Sequence, residues 1–406
     1  MLFSIALIIL CCLILSGVMQ RCKLPGLVGM LLTGIILGPH GLNLIAPELL
    51  AISAELRQIA LIIILTRAGL ALDINDLKKV GRSAILLCFV PATFEIAATT
   101  IFAPLFFPIS RLEAAIMGGV LGAVSPAVVV PKMLKLMERG YGKDKSIPQL
   151  IMAGAAVDDI YVIVLFTSFL SMYGGKGFNF FDIAVLGRVP LAIITGLGAG
   201  ILLGLVLVKV FQSIHLRDTV KTLVLLSAAF LLVSLEQALK QHLPLSGLLA
   251  VMALGATIVK RSEVLAKRLS GKYSKLWVGA ELLLFTLVGA TVDTSYAVKA
   301  GLAALALICL ALLIRVCGVY VCLIKTPLTL KERLFCAIAY LPKATVQAAI
   351  GGIPLAQGIP AGATILTVAV LAILITAPLG ALGVDATYKR LLSPPQPVNG
   401  WFLDLP

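Results

Sequence analysis

Residues Pro148 to Leu170 read PQLIMAGAAVDDIYVIVLFTSFL. Apart from Asp158 and Asp159 at its middle the stretch carries no charge, and it is long enough to cross the hydrocarbon core of a bilayer as one helix. A charged side chain at the bilayer centre costs about 2.5–3.5 kcal/mol on insertion scales. Two in succession, in a segment otherwise suited to lipid, mark a site. Paired acids at membrane depth bind a cation, a proton, or each in turn.

The rest of the chain agrees with a membrane setting. Of 406 residues 60% are hydrophobic and only 13% charged, with a mean hydropathy of +1.09. Soluble domains carry about 25% charged residues. The net charge of +14 would suit nucleic acid if it were clustered, but the basic residues lie in short connections between apolar runs. The eight cysteines show no CxxC or Cys/His spacing, so neither a zinc site nor a disulfide framework is indicated.

Apolar runs long enough to span number thirteen, centred near residues 11, 32, 65, 95, 122, 160, 201, 227, 251, 285, 310, 344 and 373. Met1–Gln20 lacks a basic leader and is followed by Arg21 and Lys23, so it reads as a first span rather than a signal peptide. Of the 33 Lys and Arg residues, 24 fall in connections after odd-numbered spans and 6 after even-numbered ones. That bias places the N-terminus outside and the C-terminus in the cytosol, in a multi-pass protein of the cell (inner) membrane.

The two halves match at a shift of about 220 residues. Thr66-x-x-Gly69-x-x-x-Asp73 returns as Thr286-x-x-Gly289-x-x-x-Asp293, Gly26-Leu27 and Gly34 return as Gly247-Leu248 and Gly255, and Glu95 falls opposite Arg315. The predicted fold is all-α and polytopic: thirteen transmembrane helices in one unit, 1–406. Repeat A runs over about 1–173, a linker helix over about 182–213 and repeat B over about 218–385. Six helices, a linker and six more invert the second repeat, an architecture common in secondary transporters.

The fifth span of each repeat carries prolines at its middle: Gly122-Ala-Val-Ser-Pro-Ala-Val-Val-Val-Pro131 in span 5, and Ala339-Tyr-Leu-Pro-Lys-Ala-Thr345 with Gly351-Gly-Ile-Pro354 in span 12. Proline removes a donor and clashes with the preceding turn, so both spans break. Broken backbone is tolerated at this depth where it lines a cavity. Where the two broken helices cross, opposed dipoles need compensating charge. Lys343 beside Pro342, and a buried Glu95–Arg315 pair, are the candidates.

The runs around Ser125–Pro131, Ala156-Val-Asp-Asp159 and Leu341-Pro-Lys-Ala-Thr-Val-Gln-Ala-Ala349 resemble the monovalent cation:proton antiporter superfamily, most of all its sodium/hydrogen exchanger domain-containing subgroup. The resemblance implies a homodimer and elevator movement of a core domain (helices 3–6 and 10–13) against a scaffold and dimer domain (helices 1–2 and 7–9). By position it implies that Asp159 binds the cation and the proton in turn, that Asp158 partners it on Na⁺, and that Val124 and Ser125 add oxygen ligands. Lys343, with Arg315 and Glu95, would then balance the crossing. Some electrogenic relatives carry lysine where this chain has Arg315. Arginine does not release its proton, which puts a two-proton stoichiometry in doubt.

The residues themselves support exclusion of one ion by the other. Burial and a neighbouring carboxylate both favour protonation, so the site holds a proton or a cation, not both. Adjacent residues lie about 100° apart on a helix, which turns Asp159 toward the break in span 5 and Asp158 toward a basic partner. Among weaker signals, Asp73 reads as interfacial, Arg67 as bonded to backbone carbonyls, and Glu281 as a solvated helix end in preference to an entry acid. The basic loops Lys132–Lys145 and Lys260–Lys275 read as topological signals, and His40, His215 and His242 fall near span ends. The sequence predicts a transporter, not an enzyme, with no cofactor and no nucleic-acid partner. Its expected activity is Na⁺ (or Li⁺) for H⁺ antiport. K⁺/H⁺ exchange stays open, and a sodium-coupled symporter of similar fold is the alternative from another class; a channel or receptor fits least.

Overall fold

The computed structural model describes residues 1–71, 81–173, 183–239 and 245–394, and all regular structure among them is helical. Asp73 and His242 lie outside the described residues. Among the described residues nine helical stretches are long and apolar enough to cross a membrane: Leu2–Arg21, Arg82–Phe106, Arg111–Glu138, Ile147–Tyr173, Leu191–Ser213, Asp218–Leu239, Glu263–Ala290, Ala300–Cys322 and Gly362–Leu391. The thirteen-span reading therefore exceeds what helix length and composition alone support among the described residues. The expected spans near 32 and 251 are helices of 12 and 15 residues, Gly26–Leu37 and Gly247–Arg261. The one near 65, Ser53–Ala71, carries Glu55, Arg57 and Arg67. The one near 344 is split into Leu330–Ala339, Thr345–Ile350 and Ile353–Ala356.

Local sequence sets these boundaries. Pro126 and Pro91 stand in the first turns of their helices, where the missing N–H is no loss. Ser110 and Thr329 open helices Arg111–Leu121 and Leu330–Ala339 with capping boxes closed by Glu113 and Glu332. The basic stretches differ from expectation. Lys132 and Lys135 belong to helix Pro126–Glu138, and Lys267 to Lys275 lie on the opening turns of Glu263–Ala290. Basic residues in the terminal turns of a helix read, in sequence, as part of the adjoining loop.

Close crossings are made by glycine. A Cβ on Gly34 would strike the backbone of Thr286 and Ala290, and one on Gly289 the backbone of Leu31 and Ile35. Gly69 and Gly255 stand against each other in the same way. Thus Gly26–Leu37 is seated on Glu263–Ala290, and Gly247–Arg261 on Ser53–Ala71. One apolar cluster joins Ile8, Leu37 and Leu49 to Leu282 and Leu287. Another draws on Leu87, Val129, Met133, Ile151, Val319, Phe335 and Val384, around the two interrupted helices.

Candidate functional site

The two interrupted helices meet at their breaks. Helix Arg111–Leu121 stops and Pro126–Glu138 resumes after four residues without helical structure, Gly122–Ser125; Leu330–Ala339 stops and Thr345–Ile350 resumes after Tyr340–Ala344. The two strips are stitched together where Ser125 N donates to Pro342 O at 2.8 Å. A helix break leaves carbonyls unpaired on one side and N–H groups on the other, and each needs a partner when buried.

Cations and an amide take the carbonyls. Lys343 Nζ donates to Leu121 O at 2.5 Å, and Gln347 Nε2 to Leu121 O at 3.3 Å and Ala123 O at 2.9 Å. Arg315 donates through Nη1 to Gly122 O and through Nε to Tyr340 O at 3.0 Å. Positive charge thus meets the negative ends of both first halves. On the far side of the first break, Val124 N donates to Asp158 Oδ2 at 2.7 Å, so a carboxylate meets the positive end of Pro126–Glu138.

These charges form one network. Glu95 Oε2 accepts from Arg315 Nη1 and from Lys343 Nζ, both at 2.8 Å, and Lys343 Nζ is 2.7 Å from Glu95 Oε1. Arg315 Nη2 reaches Asp158 Oδ2 at 3.1 Å. Glu95, Asp158, Arg315 and Lys343 are each at most 1% exposed. Charges this deep hold only because each is paired and hydrogen-bonded. The basic partner expected for Asp158 is Arg315, which has a planar fork able to serve several acceptors at once.

Asp159 stands apart from this network. It is half-buried, and its buried Oδ1 has no hydrogen-bond partner. Ser125 Oγ, Asp158 Oδ1 and Gln347 Oε1 are likewise buried and unpartnered. Four oxygens without donors, in and around one helix break, make a donor set suited to a hard cation or a proton. Val124, expected to offer an oxygen, also donates its N–H to Asp158 Oδ2. Gln347 and Tyr340 went unassigned in the sequence although both sit in the quoted span 12 run; an amide and a phenol on an apolar segment gave no charge signal. A cavity of about 330 Å³ opens beside the break, lined by Ala127, Val128 and Pro131 together with Gln20, Lys23 and Glu281. Glu281 is therefore not at a helix end: it lies well inside Glu263–Ala290, half-buried on the cavity wall. His40 and His215 stand in the turns after Gly26–Leu37 and Ile183–Ser213, remote in sequence from the break.

Known proteins resemble this chain over most of its length. A family model described as sodium/hydrogen exchanger, transmembrane, matches residues 5–389. Sodium/hydrogen exchanger 9B2 of Mus musculus is 35% identical over 382 residues, covering 91% of this chain and 69% of the mouse protein. The Homo sapiens 9B2 protein is 34% identical over 411 residues, covering 96% of this chain and 75% of its own. Among solved structures, the sodium proton antiporter MjNhaP1 from Methanocaldococcus jannaschii at pH 8 superposes with a TM-score of 0.81 over 95% of this chain and 97% of that one, at 20% identity. The fold is shared with that structure; the sequence likeness is to the exchangers.

Proposed function

The chain belongs to the sodium/hydrogen exchanger family, a family of multi-pass membrane transporters, and we propose that it exchanges Na⁺ or Li⁺ for H⁺ with Asp159 as the carboxylate that takes each ion in turn. The observation that carries this reading is the division of labour between neighbouring acids. Asp158 is committed to Arg315 and the Val124 N–H, while Asp159 keeps a buried oxygen free of partners. Only a group not already held by a fixed cation can trade a proton for a metal ion. Ser125 Oγ, Asp158 Oδ1 and a break carbonyl would complete the shell.

A protonated or sodium-loaded Asp159 presents no net charge to the membrane, and an empty one does. Movement is thereby restricted to loaded states, which is sufficient for coupling. Because Arg315 stays charged and holds Asp158, one proton leaves per cation and the cycle is electroneutral.

The packing supports an elevator division somewhat different from the one expected. One of the two apolar clusters at the crossing draws on residues 84–155 and 319–392, spans 4–6 and 11–13, and the other also reaches spans 3 and 10. Ser53–Ala71 and Glu263–Ala290, spans 3 and 10, are seated by glycine on the two short helices of spans 9 and 2. Spans 3 and 10 therefore travel with the scaffold, and the moving body is the six-helix bundle holding the crossing. Under this reading the cavity beside Pro131 is the cytosolic access path, the N-terminus is outside, the protein sits in the cell membrane, and two copies pair through their scaffolds. The capping boxes, breaks and glycine crossings that recur near a 220-residue shift support two inverted repeats and a thirteen-span count.

The test uses proteoliposomes with a pH dye inside, an acid interior and clamped voltage. Na⁺, Li⁺ and K⁺ are added outside in turn. Alkalinisation by Na⁺ and Li⁺ is expected; K⁺ as the stronger driver would favour the potassium exchanger. No cation-driven proton movement in correctly inserted protein would overturn antiport.

A further inference from the structure

Two buried glutamates have no part in the network at the breaks: Glu113 and Glu332, 7% and 3% exposed. Each lies in the first turn of the first half of an interrupted helix. Glu113 Oε2 accepts from Ser110 N at 2.8 Å, and Glu332 Oε2 from Thr329 N at 2.7 Å, closing the two capping boxes. A capping box needs one side-chain oxygen and accepts glutamine as well as glutamate.

Both glutamates do more than cap. Glu113 Oε1 accepts from Ala361 N at 3.2 Å, and Ala361 opens helix Gly362–Leu391. Glu332 accepts from Lys145 Nζ on both oxygens, at 2.8 and 3.1 Å, and from Ser393 Oγ at 3.3 Å. Lys145 stands just ahead of helix Ile147–Tyr173, which carries Asp158 and Asp159. The contacts are reciprocal: each glutamate joins the start of one interrupted helix to the helix that follows the other. Since Lys145 lies past the end of Pro126–Glu138, Glu332 sits at the opposite end of the bundle from Glu113. The helices they anchor are 11 and 10 residues long and end in the carbonyls held by Lys343, Gln347 and Arg315. A short helix is a stiff rod, so fixing its outer end fixes those carbonyls.

We propose that Glu113 and Glu332 are positioning residues for the cation site, a pair of clamps that set the register of the two broken helices from opposite ends of the bundle. This rests on the exchanger reading above. Glutamine separates clamping from capping. In Glu113→Gln the amide oxygen still caps Ser110 N, but the NH₂ group then faces the Ala361 N–H, donor against donor. In Glu332→Gln it faces the Lys145 ammonium. Ser110→Ala and Thr329→Ala do the reverse, removing the cap hydroxyl and leaving the outer contact in place.

The experiment measures two quantities on the full chain: Na⁺-dependent thermal stabilisation of purified protein, and Na⁺-driven exchange in proteoliposomes. For Glu113→Gln and Glu332→Gln the half-maximal Na⁺ concentration rises about 10-fold in both, the low end of what loss of an outer-shell partner does to metal affinity. Ser110→Ala and Thr329→Ala lower Tm and leave that concentration unchanged. Lys145→Met, expected to act like Glu332→Gln, probes the same contact should a glutamine variant fail to fold. Wild-type half-maximal concentrations in the glutamine variants and in Lys145→Met, or shifts no larger than those of the alanine variants, would overturn the proposal. A wild-type protein that neither exchanges nor is stabilised by Na⁺ would overturn the exchanger reading, and the clamp with it.

Discussion

Arg315 Nη2 and the Val124 N–H converge on one oxygen, Asp158 Oδ2, at 3.1 and 2.7 Å, while the adjoining Asp159 has a buried oxygen that nothing donates to. One turn of chemistry separates two side chains that are neighbours in sequence. Asp158 is structural charge, fixed by a guanidinium; Asp159 is available.

That difference separates the two asparagine variants. Asp158→Asn leaves Arg315 short of a counter-charge in a site with no exposure and is expected to cost about 3 kcal/mol, the lower end for breaking a buried pair. Asp159→Asn removes an unpartnered carboxylate and leaves Tm unchanged or raised. Thermal unfolding of the two variants in the same detergent checks the order.

Glu95 serves Arg315 and Lys343 together, so its loss brings two buried cations face to face. Glu95→Gln lowers Tm, and Lys343→Met made in the same background restores part of the loss. A double-mutant cycle should give a coupling on the order of 1–3 kcal/mol; additive effects would mean that the two side chains do not share the burden.

The permanent charge on Arg315 bears on stoichiometry. Under the proposed exchange at Asp159, with Asp158 held by Arg315, transport is expected to be indifferent to voltage. Initial rates in proteoliposomes at 0 and about −100 mV should coincide, whereas one net charge per cycle would feel about 2.3 kcal/mol at that potential.

The glycine crossings predict where bulk is not tolerated. Gly34→Val and Gly255→Val each drive a side chain into facing backbone, at Thr286 and at Gly69–Leu70. Overpacking costs about 1–3 kcal/mol, and backbone cannot swing aside as a side chain can. Both variants are expected to lower Tm more than Gly279→Val, whose Cβ would meet nothing within 4 Å.

Much of this was legible from residue types. Prolines at 126 and 342 located both breaks, because a missing N–H cannot be repaired inside lipid without a built environment. Glu95, Arg315 and Lys343 declared themselves by carrying charge at mid-span. Which cation Asp158 takes was not legible, since both are long side chains and the choice depends on how the breaks are offset. Ser110-x-x-Glu113 and Thr329-x-x-Glu332 carry a readable capping signature, but their outer contacts with Ala361 and Lys145 join segments 248 and 187 residues apart and leave no local mark. The helices near 32 and 251 are shorter than their apolar runs suggest for a related reason. Gly26–Leu37 and Gly247–Arg261 are stabilised by close packing on neighbours through Gly34 and Gly255, and need not be long.

The most direct test is proton release on cation binding. Purified protein in weakly buffered detergent solution is titrated with Na⁺ across a pH series, and the protons set free are counted by a dye. Wild type should release up to one proton per chain, Asp158→Asn should still release protons, and Asp159→Asn should release none. Sodium binding to wild type without proton release at any pH, or undiminished release from Asp159→Asn, would contradict exchange at this carboxylate.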